Sequence, residues 1–105
     1  MFDNKNYEIN IKEAALDKMQ AHIEFLAYVN ESAAERLLED FRQGLESLCY
    51  NPESYARYHP QFKTQRELRC KLCAKRYRIV FEIIEKCVYV YDIQDCRQNI
   101  DKSLI

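Results

Sequence analysis

Seven of the sixteen basic side chains fall between Lys63 and Arg78: Lys63, Arg66, Arg69, Lys71, Lys75, Arg76 and Arg78. Glu67 is the single acid among them. An arginine guanidinium grips phosphate or carboxylate through paired N–H groups, and a lysine whose pKa is lowered by neighbouring cations can accept a proton. Arg69, Lys71 and Arg78, joined by Arg97 beyond the last predicted strand, therefore have the chemistry to hold RNA. They could also balance the charge that develops as a phosphodiester is cut. Lys75 and Arg76 enlarge the same positive patch. The spacing equally describes a solubilising face on a half-exposed antiparallel sheet, and by itself does not separate the two.

The patch sits in a chain of net charge −1. Residues 1–60 carry 6 basic and 11 acidic side chains, whereas residues 61–105 carry 10 and 6. That asymmetry points to a polyanionic or acidic partner for the C-terminal half.

Other catalytic kits are missing. His22 and His59 are the two histidines, and neither stands beside a cysteine or serine in a recognisable arrangement. His22 reads as a helix-surface or boundary residue. A single glycine allows no glycine-rich phosphate loop. The carboxylates cluster on the predicted helices, as a solvated face would. Cys70 and Cys73 spell a CxxC, which suggests zinc or redox chemistry, but Cys87 and Cys96 stand alone and no second pair follows at metal-site spacing. Thiols three apart on a strand point to opposite faces. The five cysteines are therefore expected as free core or surface thiols, with no metal and no cofactor. Tyr50, Tyr55 and Tyr58 either stack on bases or fasten their loop across the helix ends.

These side chains need a frame. At 105 residues the chain is expected to form one domain over 1–105. Its odd cysteine count, and an N-terminus unlike a signal peptide, predict a cytoplasmic protein; no apolar run suits a membrane. Residues 7–11 alternate as a strand. From Lys12 the period becomes helical, with Leu16, Met19, Ile23 and Leu26 on one stripe to about Val29. Asn30 is a stop. Ser32-Ala33-Ala34-Glu35 then has the form of a capping box, opening a helix whose stripe is Ala34, Leu37, Leu38, Phe41, Leu45 and Leu48. Asn51-Pro52 ends it. The short link makes the two helices a hairpin. After the connection 51–66, three strands are predicted at 67–73, 77–83 and 87–93, with hairpin-length links. On the first of them Leu68, Cys70 and Leu72 alternate with Arg69, Lys71 and Cys73. The expected fold is α+β in the order β-α-α-β-β-β. An antiparallel sheet would carry the helical hairpin on one face and leave its basic face open.

The run Ala33-Ala34-Glu35-Arg36-Leu37-Leu38, with Leu45-Glu46-Ser47-Leu48 and Asn51-Pro52-Glu53-Ser54-Tyr55, is similar to the helical hairpin of ParE-type toxins. Leu68-Arg69, Tyr77-Arg78-Ile79-Val80-Phe81-Glu82-Ile83 and Val88-Tyr89-Val90, followed by Arg97, resemble strands of the wider RelE/ParE superfamily. The likeness covers about residues 7–100 and rests on the Tyr-Arg strand and the element order rather than on one sharp motif. It implies a toxin of a bacterial type II toxin–antitoxin module, neutralised by a cognate antitoxin encoded beside it. ParE-like members poison DNA gyrase; RelE-like members cut mRNA in the ribosomal A site. The RelE pattern would make Arg69, Lys71, Arg78 and Arg97 catalytic, with Lys71 as proton acceptor. Ser103 lies where that pattern carries a tyrosine, and RelE-like chains are strongly basic whereas this one has a pI near 6.1. The resemblance thus implies a gyrase poison first and a ribosome-dependent mRNA endoribonuclease second. An inactive binding module of the same fold is the third reading.

Overall fold

The computed structural model describes residues 6–60 and 63–96. The elements run β1 (Glu8–Ile11), α1 (Glu13–Val29), α2 (Glu31–Ser47), a 3₁₀ turn (Pro52–Ser54), β2 (Leu68–Cys73), β3 (Tyr77–Ile84) and β4 (Cys87–Asp95). This is the expected α+β order. β2, β3 and β4 form the antiparallel meander, and β1 adds to β4 in parallel, so the sheet is mixed with strand order β1-β4-β3-β2.

Alternation sets the core. Tyr77, Ile79 and Phe81 of β3 and Val88, Val90 and Ile93 of β4 are buried against Ala15 and Met19 of α1 and Leu37 and Phe41 of α2. Phe41 meets Tyr77 edge-on at 5.1 Å between ring centroids. The inward phase of β4 changes from even to odd numbers because Phe81 pairs with Val90 while Val80 pairs with Asp92, leaving Tyr91 as a bulge residue. The same bulge sends Asp92 and Gln94 to the face away from the helices.

The helices differ from expectation at their joint. Asn30 alone links them, and its side chain accepts the Ala33 N–H at 3.1 Å. Asn30 is thus the cap of α2, and the helix starts at Glu31 rather than after Ser32. An amide oxygen on an extended residue can satisfy an orphan N–H as well as a hydroxyl can. In α1, Ala15 is buried while Leu16 is 38% exposed, and Leu38 of the α2 stripe is exposed as well.

Gly44 lets α2 approach β2. A Cβ there would stand 3.0 Å from Cys73 Sγ and 3.3 Å from Ile79 Cδ1. Overpacking costs about 1–3 kcal/mol, against ~1 kcal/mol gained in helix propensity, so Gly44→Ala is expected to destabilise by about 1 kcal/mol. Cys73→Ala in the same chain should relieve much of that loss, read from urea titrations of both single variants and the pair. Simple additivity would mean that the Sγ contact is not the constraint.

The open basic face does not form. Directly paired residues share a face, and Arg69 pairs with Phe81, Lys71 with Ile79 and Cys73 with Tyr77. The Arg69–Lys71–Cys73 side is therefore the side that the hairpin covers. β3 decides this, because its apolar residues must face the helices and the register then fixes β2. The other face is covered in part, with Arg78 left half-buried. Tyr58 donates its N–H to the Leu68 carbonyl and Cys70 its N–H to the Ala56 carbonyl, both at 2.9 Å, so this segment lines the outer edge of β2. From there Tyr58 reaches Gln94, and Arg66 reaches Tyr91. Leu68, Val80 and Asp92 are buried beneath.

Candidate functional site

The predicted cations divide between the two faces of the sheet. On the hairpin side, Arg69 Nη1 donates to the Tyr55 carbonyl at 2.8 Å, and Lys71 Nζ lies 4.7 Å from the Tyr55 ring centroid. On the opposite side, Arg78 pairs across the strands with Leu72 and Gln94. Its Nη1 donates to Gln94 Oε1 at 3.2 Å, and its guanidinium lies 5.7 Å from the Tyr58 ring centroid. Lys75 and Arg76 occupy the β2–β3 turn, where Ala74 and Lys75 hold left-handed φ values of 52° and 68°. Non-glycine residues in that region cost about 1–2 kcal/mol each, so the turn presents Lys75 under strain. Arg76 Nη2 donates to the Tyr77 hydroxyl at 3.1 Å. Arg97 lies outside the described residues. Lys71 and Arg78 are thus not brought around one point.

Tyrosines hold these cations. Lys12, Arg66, Lys71, Arg76, Arg78 and Lys86 stack on Tyr89, Tyr91, Tyr55, Tyr77, Tyr58 and Tyr7 respectively. Roughly one such pair per 70–80 residues is usual. An aromatic face steadies a cation without neutralising it, unlike a carboxylate. Ion pairs join Arg57 to Glu67 and Arg66 to Glu82, but Lys71, Lys75, Arg76 and Arg78 enter none with a described carboxylate. Tyr55 also packs edge-on against Phe81 at 6.3 Å. Tyr55 and Tyr58 therefore fasten their loop to the sheet, one on each side of β2. Burial, helped by the hydrogen bond to Glu82, pushes the Tyr91 hydroxyl up to about 12.

Sequence reasoning missed a buried polar chain. Asp92 is fully buried, its Oδ1 accepts Lys18 Nζ at 2.7 Å, and its Oδ2 accepts Gln94 Nε2 at 2.9 Å. The available signal was an aspartate between Tyr91 and Ile93 in an otherwise apolar strand, since a buried carboxylate needs partners.

His22 stands nearby, half-buried, 5.0 Å edge-on from the Tyr77 ring. Burial lowers its pKa below the ordinary 6.5, opposed by Asp95 and Asp92 and reinforced by Lys18 and Arg76. The unfolded chain then takes up the proton first as pH falls. Stability is expected to be full above about pH 6.5 and to decline as pH drops through the lowered folded value. His22→Gln should flatten that part of the profile in urea titrations at pH 5–8; an unchanged slope would assign it to other groups.

Cys70 and Cys73 project from opposite faces, paired with Val80 and Tyr77. Burial pushes the Cys73 thiol up to about 11, and it donates to the Asp40 carbonyl at 3.2 Å. Both observations describe a thiol fixed in packing rather than poised to react. Beside it runs a groove of about 470 Å³ between α2 and β2, lined by Asp40, Gln43, Gly44, Lys71, Leu72 and Lys75 among others. Leu72 borders the groove from the edge strand, but its register with Arg78 sends its 60% exposed side chain to the opposite face.

No described helix is long and apolar enough to cross a membrane. A family model for the ParE toxin of the type II toxin–antitoxin system parDE matches residues 9–100. A search of curated proteins finds no match.

Proposed function

The chain belongs to the ParE toxin family of type II toxin–antitoxin systems, and from that premise we propose that it arrests growth by poisoning DNA gyrase in the cytoplasm. In this reading the Arg78 face meets the target, and the groove between α2 and β2 receives the cognate antitoxin that the family implies. The carrying observation is the division of the cations. Cutting a phosphodiester needs a proton acceptor and charge-balancing groups around one phosphate. Lys71, the proposed acceptor, leaves the sheet on the side opposite Arg78. A surface that docks without cutting needs no such convergence, which supports binding over cleavage.

The groove suits an extended acidic peptide. Lys71 and Lys75 rim it, and the segment 56–58 on the outer edge of β2 bonds that strand at Leu68 and Cys70, short of the end at Lys71–Cys73 that borders the groove. Strand addition at such an edge supplies backbone hydrogen bonds while pockets read alternate side chains.

Two assays on purified protein test the target. Gyrase supercoiling should be inhibited, while mRNA in a translation reaction should stay intact. Cleaved mRNA with untouched gyrase would replace this reading with the endoribonuclease one. Unimpaired growth at good soluble yield would leave an inactive binding module.

A further inference from the structure

We infer that Gln94 is the positioning residue for Arg78, holding its guanidinium with a neutral acceptor so that its charge stays available to an anionic group on the target. This rests on the reading of Arg78 as a target contact.

The geometry fixes which way the Gln94 amide points. A carboxylate only accepts hydrogen bonds. Asp92 Oδ2 lies 2.9 Å from Gln94 Nε2, so the amide nitrogen must face it and Oε1 must turn away. Arg78 Nη1 donates to that Oε1 at 3.2 Å. The Tyr58 hydroxyl accepts from Nε2 at 3.0 Å, while its ring lies beside the guanidinium. Asp92 is in turn oriented from α1 by Lys18 at 2.7 Å. A chain of contacts thus runs from Lys18 through Asp92 and Gln94 to Arg78.

The choice of residue at 94 matters for charge. Gln94 and Arg78 are direct cross-strand neighbours. A glutamate there would reach the same nitrogen with a full negative charge and cancel the arginine. The carboxylate on this face sits instead at Asp92, two residues along, engaged by Lys18. One of the five guanidinium N–H donors is occupied by Gln94, and the others can pair with an anion.

The test compares Arg78→Ala, Gln94→Met and the double variant Asp92→Asn/Gln94→Glu, which moves the carboxylate to position 94 at constant net charge. Heparin serves as the polyanion, its binding measured across salt concentrations, and growth arrest on induction is scored beside it. Arg78→Ala and the double variant should lose about ten-fold in affinity at low salt, and the log–log salt slope should fall by about one. Gln94→Met should lose a few-fold with the slope unchanged, because the charge remains but is no longer aimed. Growth arrest should weaken in the same order. A folded double variant with wild-type slope and toxicity, beside an impaired Arg78→Ala, would overturn the role of Gln94 alone. Wild-type binding by Arg78→Ala would overturn the Arg78 reading and the inference with it. Should the double variant fail to fold, wild-type heparin affinity in Gln94→Met would overturn the inference, and a few-fold loss at constant slope would support it.

Discussion

Replacing Lys18 with methionine is expected to destabilise the protein by about 3 kcal/mol. Asp92 has no exposed side-chain surface and Lys18 keeps 20%, so their 2.7 Å contact is little screened by water. Removing one partner of a buried pair costs about 3–5 kcal/mol, because the remaining charge stays buried with one counter-ion fewer. The lower end applies because Gln94 still donates to Asp92. Methionine keeps most of the lysine stem, so lost packing contributes little. Adding Asp92→Asn should restore a large part of the loss, since a neutral amide needs no cation. Urea titration at pH 7 reads the effect, and melting should shift by roughly 12 °C or more. A loss below about 1 kcal/mol would mean that the pair behaves as an exposed bridge.

The same pair shows where the sequence was legible and where it was not. Helices and strands were readable because their periods are strong: Leu37, Phe41 and Leu48 recur at helical spacing, and Tyr77, Ile79 and Phe81 alternate. The two-sided pattern of β2 was readable as well. What could not be read was which side faces the core, because Leu68, Cys70 and Leu72 look more apolar than Arg69, Lys71 and Cys73. The answer lies in the register with β3, a long-range property that β2 does not encode alone. The bulge at Tyr91 is a second such case. It changes the phase of β4, and only then do Asp92 and Gln94 fall on the Arg78 face. For the candidate site, the sequence displays Arg69, Lys71 and Arg78 as one basic run, but not the separation of Lys71 from Arg78, nor the Lys18–Asp92–Gln94 chain that steadies the latter. The parallel pairing of β1 was hidden for the same reason, since its partner Cys87–Val90 lies at the far end of the chain.

Because the cations are divided, their loss should separate toxicity from neutralisation. Arg78→Ala is expected to weaken toxicity by about ten-fold or more, since one charge-assisted contact is worth roughly 1.5–3 kcal/mol. Its antitoxin binding should be unchanged, because Arg78 projects from the face opposite Lys71. Lys71→Glu with Lys75→Glu should do the reverse. These two line the groove beside α2, and reversing them places like charge against an acidic peptide. That variant should stay toxic yet resist rescue by co-expressed antitoxin, with affinity for it falling by about ten-fold or more. Lys75 is exposed and Lys71 and Arg78 are half-buried, so both variants should fold with a loss of about 1–2 kcal/mol, the worth of a hydrogen bond or cation–π contact at a partly exposed site. Growth on induction with and without antitoxin, together with binding measured on purified proteins, gives all four quantities. If both variants lose toxicity equally, the target must wrap the β2 edge and touch both faces. If Arg78→Ala is folded and fully toxic, the cations of the second face only solvate the sheet. The target surface must then lie on the helical hairpin, where Phe25, Tyr28 and Val29 are 75%, 94% and 70% exposed.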